Sequence, residues 1–370
     1  MKNKRIIFKL LIAALIVGIV VPAARSAQRN SYRTVSLQLS TSSVAAAIQP
    51  TTNATKDWKT AKVLQTITIS VERMVFSPDG NTLAVQTQTA SGDAIVQLWD
   101  INMGKVINNF SGFSDQGYDD ALAFSPDGKI LAISNYFPSS KTLRIQLWDV
   151  QSKQQIRTLE SILEPQILQA PDSSLPGGST IIFSPDGETL VSVAADNSTI
   201  QLWDVEQGVI RHSFTEAGGR TLAVSPDGQI LARSSGQTIT LWNVETQQRI
   251  HTLRGSQPIG NLVFSRDGKT LINTYEDMEQ GIQRWDVRTG QLIRTTNYGL
   301  HWSENPVFSL DGQYLASGSS YMPLRVFDLR TDKPVFETQE SLVSGGALTI
   351  SPDGQTLAGI TDGPKIKIWR

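Results

Sequence analysis

The chain has 370 residues, a formal net charge of −1 and no cysteine. The absence of cysteine excludes thiol catalysis and cysteine metal sites, and it fits a chain that crosses an oxidising compartment without disulfides. A net charge this close to zero gives no electrostatic basis for binding duplex nucleic acid or an anionic membrane surface, so we predict neither as a partner.

Residues 1–26 predict a secretory signal. Basic residues lie at Lys2, Lys4, Arg5 and Lys9, an unbroken apolar run covers 10–21, and alanines near a cleavage point follow in 22–26. This is the order of the charged, apolar and cleavage regions of such a signal. The apolar run is shorter than the about 20 residues that span a bilayer, which favours cleavage over an N-terminal membrane anchor. We expect an exported protein, periplasmic or extracellular, that touches a membrane only if this segment is retained.

Residues 27–61 predict a flexible linker. They are rich in serine, threonine, glutamine, asparagine and alanine, and they contain no acidic residue before Asp57. Such a composition supplies too little apolar surface to form a core.

From residue 62 to residue 370 the sequence repeats. Seven segments carry a turn that ends in Asp-Gly, followed by an apolar run that ends in an aromatic residue. The turn glycines are Gly80, Gly128, Gly187, Gly228, Gly268, Gly312 and Gly354. The aromatics are Trp99, Trp148, Trp203, Trp242, Trp285, Phe327 and Trp369. A period of this size with four short β-type runs per repeat is typical of propeller blades.

The third repeat illustrates how one blade is built. The apolar run 180–183 suits an inner strand that is covered on both faces. Ser184-Pro185-Asp186-Gly187 then turns the chain, because proline presets φ, aspartate caps its own backbone and glycine accepts a positive φ. The runs 189–194, 199–204 and 209–215 predict the second, third and fourth strands of the blade.

The tripeptides around the aromatics resemble the Trp-Asp position of the WD40 repeat family. They are Leu98-Trp99-Asp100, Leu147-Trp148-Asp149, Leu202-Trp203-Asp204, Leu241-Trp242-Asn243, Arg284-Trp285-Asp286, Val326-Phe327-Asp328 and Ile368-Trp369-Arg370. With the N-terminal signal, the resemblance is to an exported, bacterial-type member. It implies an all-β fold, a seven-bladed β-propeller of four-stranded antiparallel blades. The turns are also similar to those of the periplasmic propeller of the Tol system, but tryptophan at six of seven third-strand ends favours WD40.

The polar network of the family is largely missing from the sequence. The resemblance implies a hydrogen-bonded chain of histidine, serine or threonine, aspartate and indole, but the protein has only three histidines. Ser192 with Asp196, and Ser317, occupy positions of part of that network. We therefore expect the blade aromatics to stabilise the fold mainly by buried area, roughly 1.5–3 kcal/mol for each large side chain, with patchy polar networks.

The last repeat lacks its own fourth strand. It stops at Trp369-Arg370, directly after its third strand, whereas segment 62–69 looks like the outer strands of the other repeats and precedes the first one. We predict that 62–69 pairs with 365–369 and closes the ring, which leaves no free sheet edge between the chain ends.

The predicted binding surface is the rim that carries the longest loops. Loops between second and third strands, and between a fourth strand and the next blade, open on the face opposite the Asp-Gly turns. The surplus residues fall in 88–94, 112–120, 135–142, 161–179 and 275–281. Loops carry binding functions more often than scaffold positions do, and aromatic residues and methionine are enriched at interfaces. The candidate partner-binding residues are Tyr136, Phe137, Tyr275, Tyr298, Trp302, Tyr321 and Met322.

No pattern for catalysis, a cofactor or a metal stands out. The sequence has no Gly-x-Ser-x-Gly elbow before a helix, no zinc-spaced histidine pair and no phosphate-binding glycine loop. We predict a non-enzymatic scaffold of the cell envelope that docks a protein or peptide on the loop-bearing face. The alternative is an enzyme or small-molecule binder with a site at the channel mouth. A structural or sensing component of the envelope is a third hypothesis.

Overall fold

The described part of the chain consists of β-strands and their connections. In a computed structural model of the protein, the described residues are 63–68, 71, 73–88, 94–111, 118–137, 140, 142–162, 180–193, 199–215, 221–275, 281–299, 304–309, 311–342, 347–361 and 365–370. Among them no helix is long and apolar enough to cross a membrane. The predicted signal and linker, 1–61, lie outside these residues.

The first four blades are four-stranded antiparallel sheets whose strands follow one another in the chain. Blade 1 contains β2 (Arg73–Phe76), β3 (Thr82–Gln88), β4 (Ala94–Asp100) and β5 (Lys105–Phe110). Blade 2 contains β6 (Tyr118–Phe124), β7 (Ile130–Phe137), β8 (Thr142–Asp149) and β9 (Gln155–Ile162). Blade 3 contains β10 (Ile181–Phe183), β11 (Thr189–Val193), β12 (Thr199–Asp204) and β13 (Ile210–Thr215). Blade 4 contains β14 (Leu222–Val224), β15 (Ile230–Ser235), β16 (Thr238–Asn243) and β17 (Arg249–Arg254).

The last three blades repeat this order, except that the seventh borrows a strand. Blade 5 contains β18 (Ile259–Phe264), β19 (Thr270–Tyr275), β20 (Ile282–Asp286) and β21 (Leu292–Thr296). Blade 6 contains β22 (Glu304–Phe308), β23 (Tyr314–Gly318), β24 (Pro323–Asp328) and β25 (Lys333–Ser341). Blade 7 contains β26 (Leu348–Ile350), β27 (Leu357–Thr361), β28 (Lys365–Trp369) and the N-terminal strand β1 (Val63–Thr68). The seven-bladed propeller is therefore confirmed.

Strand β1 closes the ring as predicted. It pairs antiparallel with β28, with Val63 opposite Trp369 and Thr68 opposite Lys365. On the inner side, β26 of the last blade also contacts β2 of the first. The two ends of the repeat array are thus joined by backbone hydrogen bonds as well as by packing.

The core lies between blades rather than inside any one of them. Seven clusters of buried apolar side chains occur among the described residues, and each is shared by two neighbouring blades. The aromatic at the end of each third strand packs in the cluster shared with the preceding blade; Trp203, for example, lies against Leu143, Ile145 and Leu147 of blade 2. The residue before that aromatic points the other way, because side chains alternate along a strand.

Polar partners for the indoles are present in blades 3 and 5. Trp203 Nε1 donates to Ser192 Oγ at 2.8 Å, and Trp285 Nε1 donates to Asn273 Oδ1 at 2.7 Å. Asn273 occupies in blade 5 the second-strand position that Ser192 occupies in blade 3, and the sequence analysis missed it. Because a buried indole N–H without an acceptor costs about 1–3 kcal/mol, buried area is not the sole contribution in these two blades.

In each Asp-Gly turn, a serine two residues before the aspartate forms hydrogen bonds that hold the turn together. In blade 3, Ser184 Oγ donates to Asp186 Oδ1 at 2.5 Å and accepts the Thr189 N–H at 2.9 Å. The same serine–aspartate bond, 2.5–2.7 Å long, recurs in the other six turns. Gly187 adopts a φ of 77°, as the turn requires. These aspartates are turn residues, as their repetition predicts.

Candidate functional site

The strand order places two different surfaces at the two faces of the ring. Within every blade the strands are antiparallel neighbours, so the connections from second to third strand and from one blade to the next emerge on the loop-bearing face. The Asp-Gly turns and the turns between third and fourth strands emerge on the opposite face, here called the turn face. Most of the long loops predicted from the sequence lie outside the described residues.

Tyr321 is the most exposed of the predicted binding residues that the structure describes. It lies in the loop between β23 and β24, on the loop-bearing face, with 80% of its surface exposed. Buried Ser319 holds this loop, because its Oγ accepts the N–H groups of Tyr321 and Met322, both at 3.1 Å. The Leu342 N–H donates to the Ser319 carbonyl at 3.2 Å and ties the loop to the strand behind it. The aromatic ring therefore projects into solvent from an ordered backbone.

The neighbouring predictions fall into two groups. Met322 is half-buried beside Tyr321, and Phe137 is half-buried at the end of β7 with the Arg144 guanidinium 4.8 Å from its ring centre. Arg144 also forms an ion pair with Glu160 at 2.7 Å. The backbone of Tyr136 lies in β7 opposite Tyr118, but its side chain, like the whole of Trp302, lies outside the described residues.

Tyr275 and Tyr298 are placed differently from the prediction. Tyr275 is only 2% exposed and belongs to the core between blades 4 and 5, with its hydroxyl 3.0 Å from Ser256 Oγ. Tyr298 is half-buried against Phe327, with ring centres 4.8 Å apart. Neither residue presents a free ring on the rim. Tyr275 ends a second strand and packs against blade 4, whereas Tyr298 lies two residues after β21 and packs against Phe327 of blade 6.

Tyr298 belongs to a polar cluster that joins blades 5 and 6. Arg284 Nη2 donates to the Tyr298 hydroxyl at 2.9 Å and to Asp332 Oδ1 at 2.6 Å, and the Tyr298 hydroxyl donates to Asp332. Arg294 reaches the other Asp332 oxygen at 2.8 Å. Burial, followed by the bond to Asp332, raises the pKa of Tyr298 well above its usual range. The hydroxyl therefore stays protonated and remains a donor.

On the turn face, the structure contains two grooves that the sequence analysis missed. The blade 5–6 groove has a volume of about 960 Å³ and is lined by Ser265, Arg266, Asp267, Thr270, Ile272, Arg284, Asp311, Gly312, Gln313, Tyr314, Asp328, Leu329 and Arg330. The blade 3–4 groove, about 330 Å³, is lined by residues that include Leu202, Arg211, Asn243 and Glu245. The two grooves occupy equivalent places in the repeat.

The blade 5–6 groove also contains a carboxyl with a raised pKa. Burial raises the pKa of Asp311, although the Ser309 hydroxyl and the Gln313 N–H both donate to it. The corresponding carboxyl of the preceding turn, Asp267, has a lowered pKa because the Ser265 hydroxyl and the Lys269 N–H stabilise its charge. The same turn geometry therefore gives opposite pKa shifts, since the carboxyl of blade 6 is the more deeply buried of the two.

Among the described residues no group of three or more acidic or histidine side chains could hold a metal ion. The cationic residues that line the blade 5–6 groove are Arg266, Arg284 and Arg330.

The comparison with protein families matches one blade. The WD40 family model, described as WD domain, G-beta repeat, matches residues 173–204, which include the first three strands of blade 3. The matched segment of blade 3 is therefore similar to a WD40 repeat. The other blades share its antiparallel four-stranded order and the serine–aspartate hydrogen bond of its turn.

Curated proteins similar to the chain include several WD-repeat proteins. Protein tipD of Dictyostelium discoideum is 24% identical over 326 residues, covering 85% of this chain and 49% of that protein. The WD repeat-containing protein WDS homolog of Arabidopsis thaliana is 26% identical over 306 residues, covering 80% and 45%. Autophagy-related protein 16 of Arabidopsis thaliana is 25% identical over 264 residues, covering 69% and 47%. The chain spans about half the length of these curated relatives. They come from eukaryotes, so the expected exported, bacterial-type character stays a prediction.

Proposed function

We propose that this protein is a non-enzymatic scaffold of WD40 type that docks a protein or peptide partner on the loop-bearing face of the ring. The observation that carries the proposal is Tyr321, an 80% exposed aromatic ring on a loop whose backbone is fixed by Ser319. A ring held in this way loses little conformational entropy on binding, and tyrosine is enriched among residues that dominate interface energies. Similarity to WD-repeat proteins supports the same proposal.

The proposal is tested by photo-crosslinking from two positions with matched exposure. A benzophenone amino acid replaces Tyr321 in one protein and Met103 in another; Met103 is 63% exposed in the turn between β4 and β5, on the turn face. Irradiation in extracts of the producing cells should give a discrete adduct from position 321 and none from position 103. Equal adducts from both positions, or none from either, contradict docking at Tyr321.

Affinity for the crosslinked partner gives the second readout. Tyr321→Ala should weaken binding by about thirtyfold, since a central aromatic anchor is typically worth about 2 kcal/mol or more. Tyr321→Phe, which keeps the ring, should retain most of the affinity, and Met103→Ala should leave it unchanged. A Tyr321→Ala protein that binds as well as the parent contradicts the role of this ring.

Export and a place in the cell envelope are part of the proposal and rest on the charged, apolar and cleavage regions of residues 1–26. N-terminal sequencing of the protein from its own cells should begin near Ala27, and the protein should be found in the envelope or medium fraction. A soluble cytoplasmic protein that retains residues 1–26 contradicts export.

A further inference from the structure

The blade 5–6 interface departs from the repeat at several positions that meet in one groove. In blade 5, Arg284 precedes the third-strand aromatic, at the position of Leu202 in blade 3. In blade 6, Arg330 lies in the turn between the third and fourth strands, at the position of Glu245 in blade 4. Arg266 occupies the turn position that is proline in five of the seven repeats. All three arginines line the blade 5–6 groove.

The backbone of the two turns is rearranged as well. Arg266 has the N–H that proline lacks, and it donates this N–H to the Asp311 carbonyl at 3.1 Å. The blade 6 turn thereby approaches blade 5 so closely that a Cβ on Gly312 would lie 2.9 Å from the Phe264 carbonyl oxygen. In blade 4, by contrast, a Cβ on Gly228 would meet only the Pro185 ring, at 3.5 Å. The change at Arg266 therefore reshapes the groove in addition to adding a charge.

The acidic groups of the groove are bonded by their own turns. Asp267 accepts the Ser265 hydroxyl at 2.7 Å and the Lys269 N–H at 3.1 Å. Asp311 is bonded in the same way by its turn, and Asp328 accepts the N–H groups of Arg330 and Thr331 at 2.7 and 3.2 Å. One oxygen, Oδ1, of each of these carboxylates is therefore bonded within its own turn.

The exposed arginines retain most of their donor capacity. The Arg266 guanidinium is exposed and forms no hydrogen bond with any residue that the structure describes. The Arg330 guanidinium is 69% exposed and has one long contact, 3.4 Å, to Asp328. A guanidinium carries five N–H donors in a planar fork that matches carboxylate and phosphate oxygens. Arg266 and Arg330 thus offer unused cationic donors at the mouth of this groove.

The blade 3–4 groove has the equivalent turn aspartates but fewer arginines. Its lining contains Asp186, Asp227 and Glu245, and its Arg211 is held by Asp204 through two bonds of 2.6 and 2.9 Å. Each lining contains three acidic residues, but the position of Glu245 in the blade 3–4 groove is occupied by Arg330 in the blade 5–6 groove, which contains three arginines instead of one.

We propose that the blade 5–6 groove binds an acidic segment of a polypeptide partner, with Arg266 and Arg330 as the residues that contact its carboxylates. The groove volume of about 960 Å³ accommodates several side chains of an extended segment. This second site lies on the face opposite Tyr321, so a partner docked on the loop-bearing face leaves it accessible.

Titration calorimetry of the full chain tests the proposal at low salt. The probes are acetylated, amidated Gly-Glu-Glu-Glu-Gly, its glutamine counterpart Gly-Gln-Gln-Gln-Gly, and inorganic phosphate. The glutamate peptide should bind about tenfold more tightly than the glutamine peptide, with a preference that falls as salt is raised. Arg266→Gln with Arg330→Gln should abolish the preference. Arg288→Gln, at the exposed position of blade 5 equivalent to Arg330, should preserve it.

Three results would overturn the proposal. Equal binding of the two peptides, or binding of neither, contradicts an acidic ligand. If Arg288→Gln reduces the preference for the glutamate peptide as much as the double variant does, the effect depends on total charge, and binding in the groove is contradicted. Phosphate that binds as tightly as the glutamate peptide and competes with it indicates a site for a free oxyanion rather than for a polypeptide segment. Melting curves of the variants should match the parent, since both guanidinium groups are exposed.

Discussion

The blade 3–4 groove and the blade 5–6 groove are built on the same strands and turns but have different chemistry. Blade 3 places Leu202 in the apolar cluster that it shares with blade 4, whereas blade 5 places Arg284 at the equivalent point, bonded to Asp332 of blade 6. Substitution at one interface between blades therefore changes the chemistry of a groove while the strand order stays the same.

The largest effect is expected at Asp332, the anion of the buried cluster. Asp332 has a φ of 57°, at a position that is glycine in blades 1, 3 and 5. Asp332→Gly therefore relieves the strain of a positive φ, but it leaves the buried Arg284 guanidinium without its carboxylate. The substitution should lower the free energy of unfolding by about 2–3 kcal/mol. Gln247→Gly changes the equivalent position of blade 4, also at a φ of 57°, and should alter stability by less than about 1 kcal/mol. Urea unfolding measures both; equal effects would contradict the role of the ion pair.

A second variant replaces the polar cluster of Arg284, Tyr298 and Asp332 with apolar residues. The combination Arg284→Leu, Tyr298→Phe and Asp332→Gly removes the cation, the hydroxyl and the carboxylate together, so that neither member of the buried ion pair is left alone. The Leu329 carbonyl and the Thr296 hydroxyl each lose one hydrogen bond, and the Arg294 guanidinium loses its ion pair. Replacement of a buried ion pair by apolar groups is commonly neutral or stabilising. The triple variant should therefore unfold within about 1 kcal/mol of the parent. A loss as large as that of Asp332→Gly alone would show that the shape of the cluster, rather than its charge balance, stabilises the interface.

A smaller effect is expected for Arg266→Pro, which restores the residue of five other turns. Proline removes the N–H that donates to the Asp311 carbonyl, but it also restricts the unfolded chain, and the two contributions are each of the order of 1 kcal/mol and opposite in sign. The melting temperature should change little. A large decrease would indicate that blade 5 cannot adopt the proline turn of blade 4.

The smallest effect concerns the pH dependence of stability at the two turns. The folded pKa of Asp311 is raised by burial, so its charge reduces stability once the pH exceeds its unfolded pKa near 3.8, and this cost is relieved on acidification. The folded pKa of Asp267 is lowered by the Ser265 hydroxyl, so its contribution is present above pH 3.8 and is lost as the pH falls below that value. Compared with the parent, Asp311→Asn should be relatively more stable at about pH 7 than at about pH 3.5, and Asp267→Asn relatively less. Melting temperatures at the two pH values test this, and shifts of the same sign in both variants would contradict it.

The fold was predictable from the sequence because a repeat shows the same pattern many times. The strands of the third blade lie within one residue of their predicted bounds, and β1 pairs with β28 as its resemblance to outer strands indicates. Spacing of apolar residues, turn residues and aromatics fixes where the backbone turns, and these features recur in every blade.

The candidate sites were less predictable because spacing does not specify what covers a side chain. Tyr275 was predicted on a rim loop, yet it is the last residue of a second strand and its ring enters the core between blades 4 and 5. The blade 5–6 groove does not follow from the repeat pattern, in which Arg284-Trp285-Asp286 marks only the third-strand tryptophan. The sequence does contain two departures from the repeat in blade 5: Arg266 replaces the turn proline, and Arg284 replaces an apolar residue of the third strand. The significance of the pair appears only when two blades are brought together.

The pairing of β1 with β28 imposes an order on folding during synthesis. The ribosome releases β1 before any blade, whereas its partner, Lys365–Trp369, is the last strand to emerge. Blades 1–6 can complete their hydrogen bonds as they appear, since each is made of consecutive strands. Strand β1 must keep its edge unpaired through all of that time, and the joining of the two ends requires closure of a loop as long as the whole ring. We expect the late encounter of these two strands to be the slow step of folding and the stage at which a chaperone is most useful.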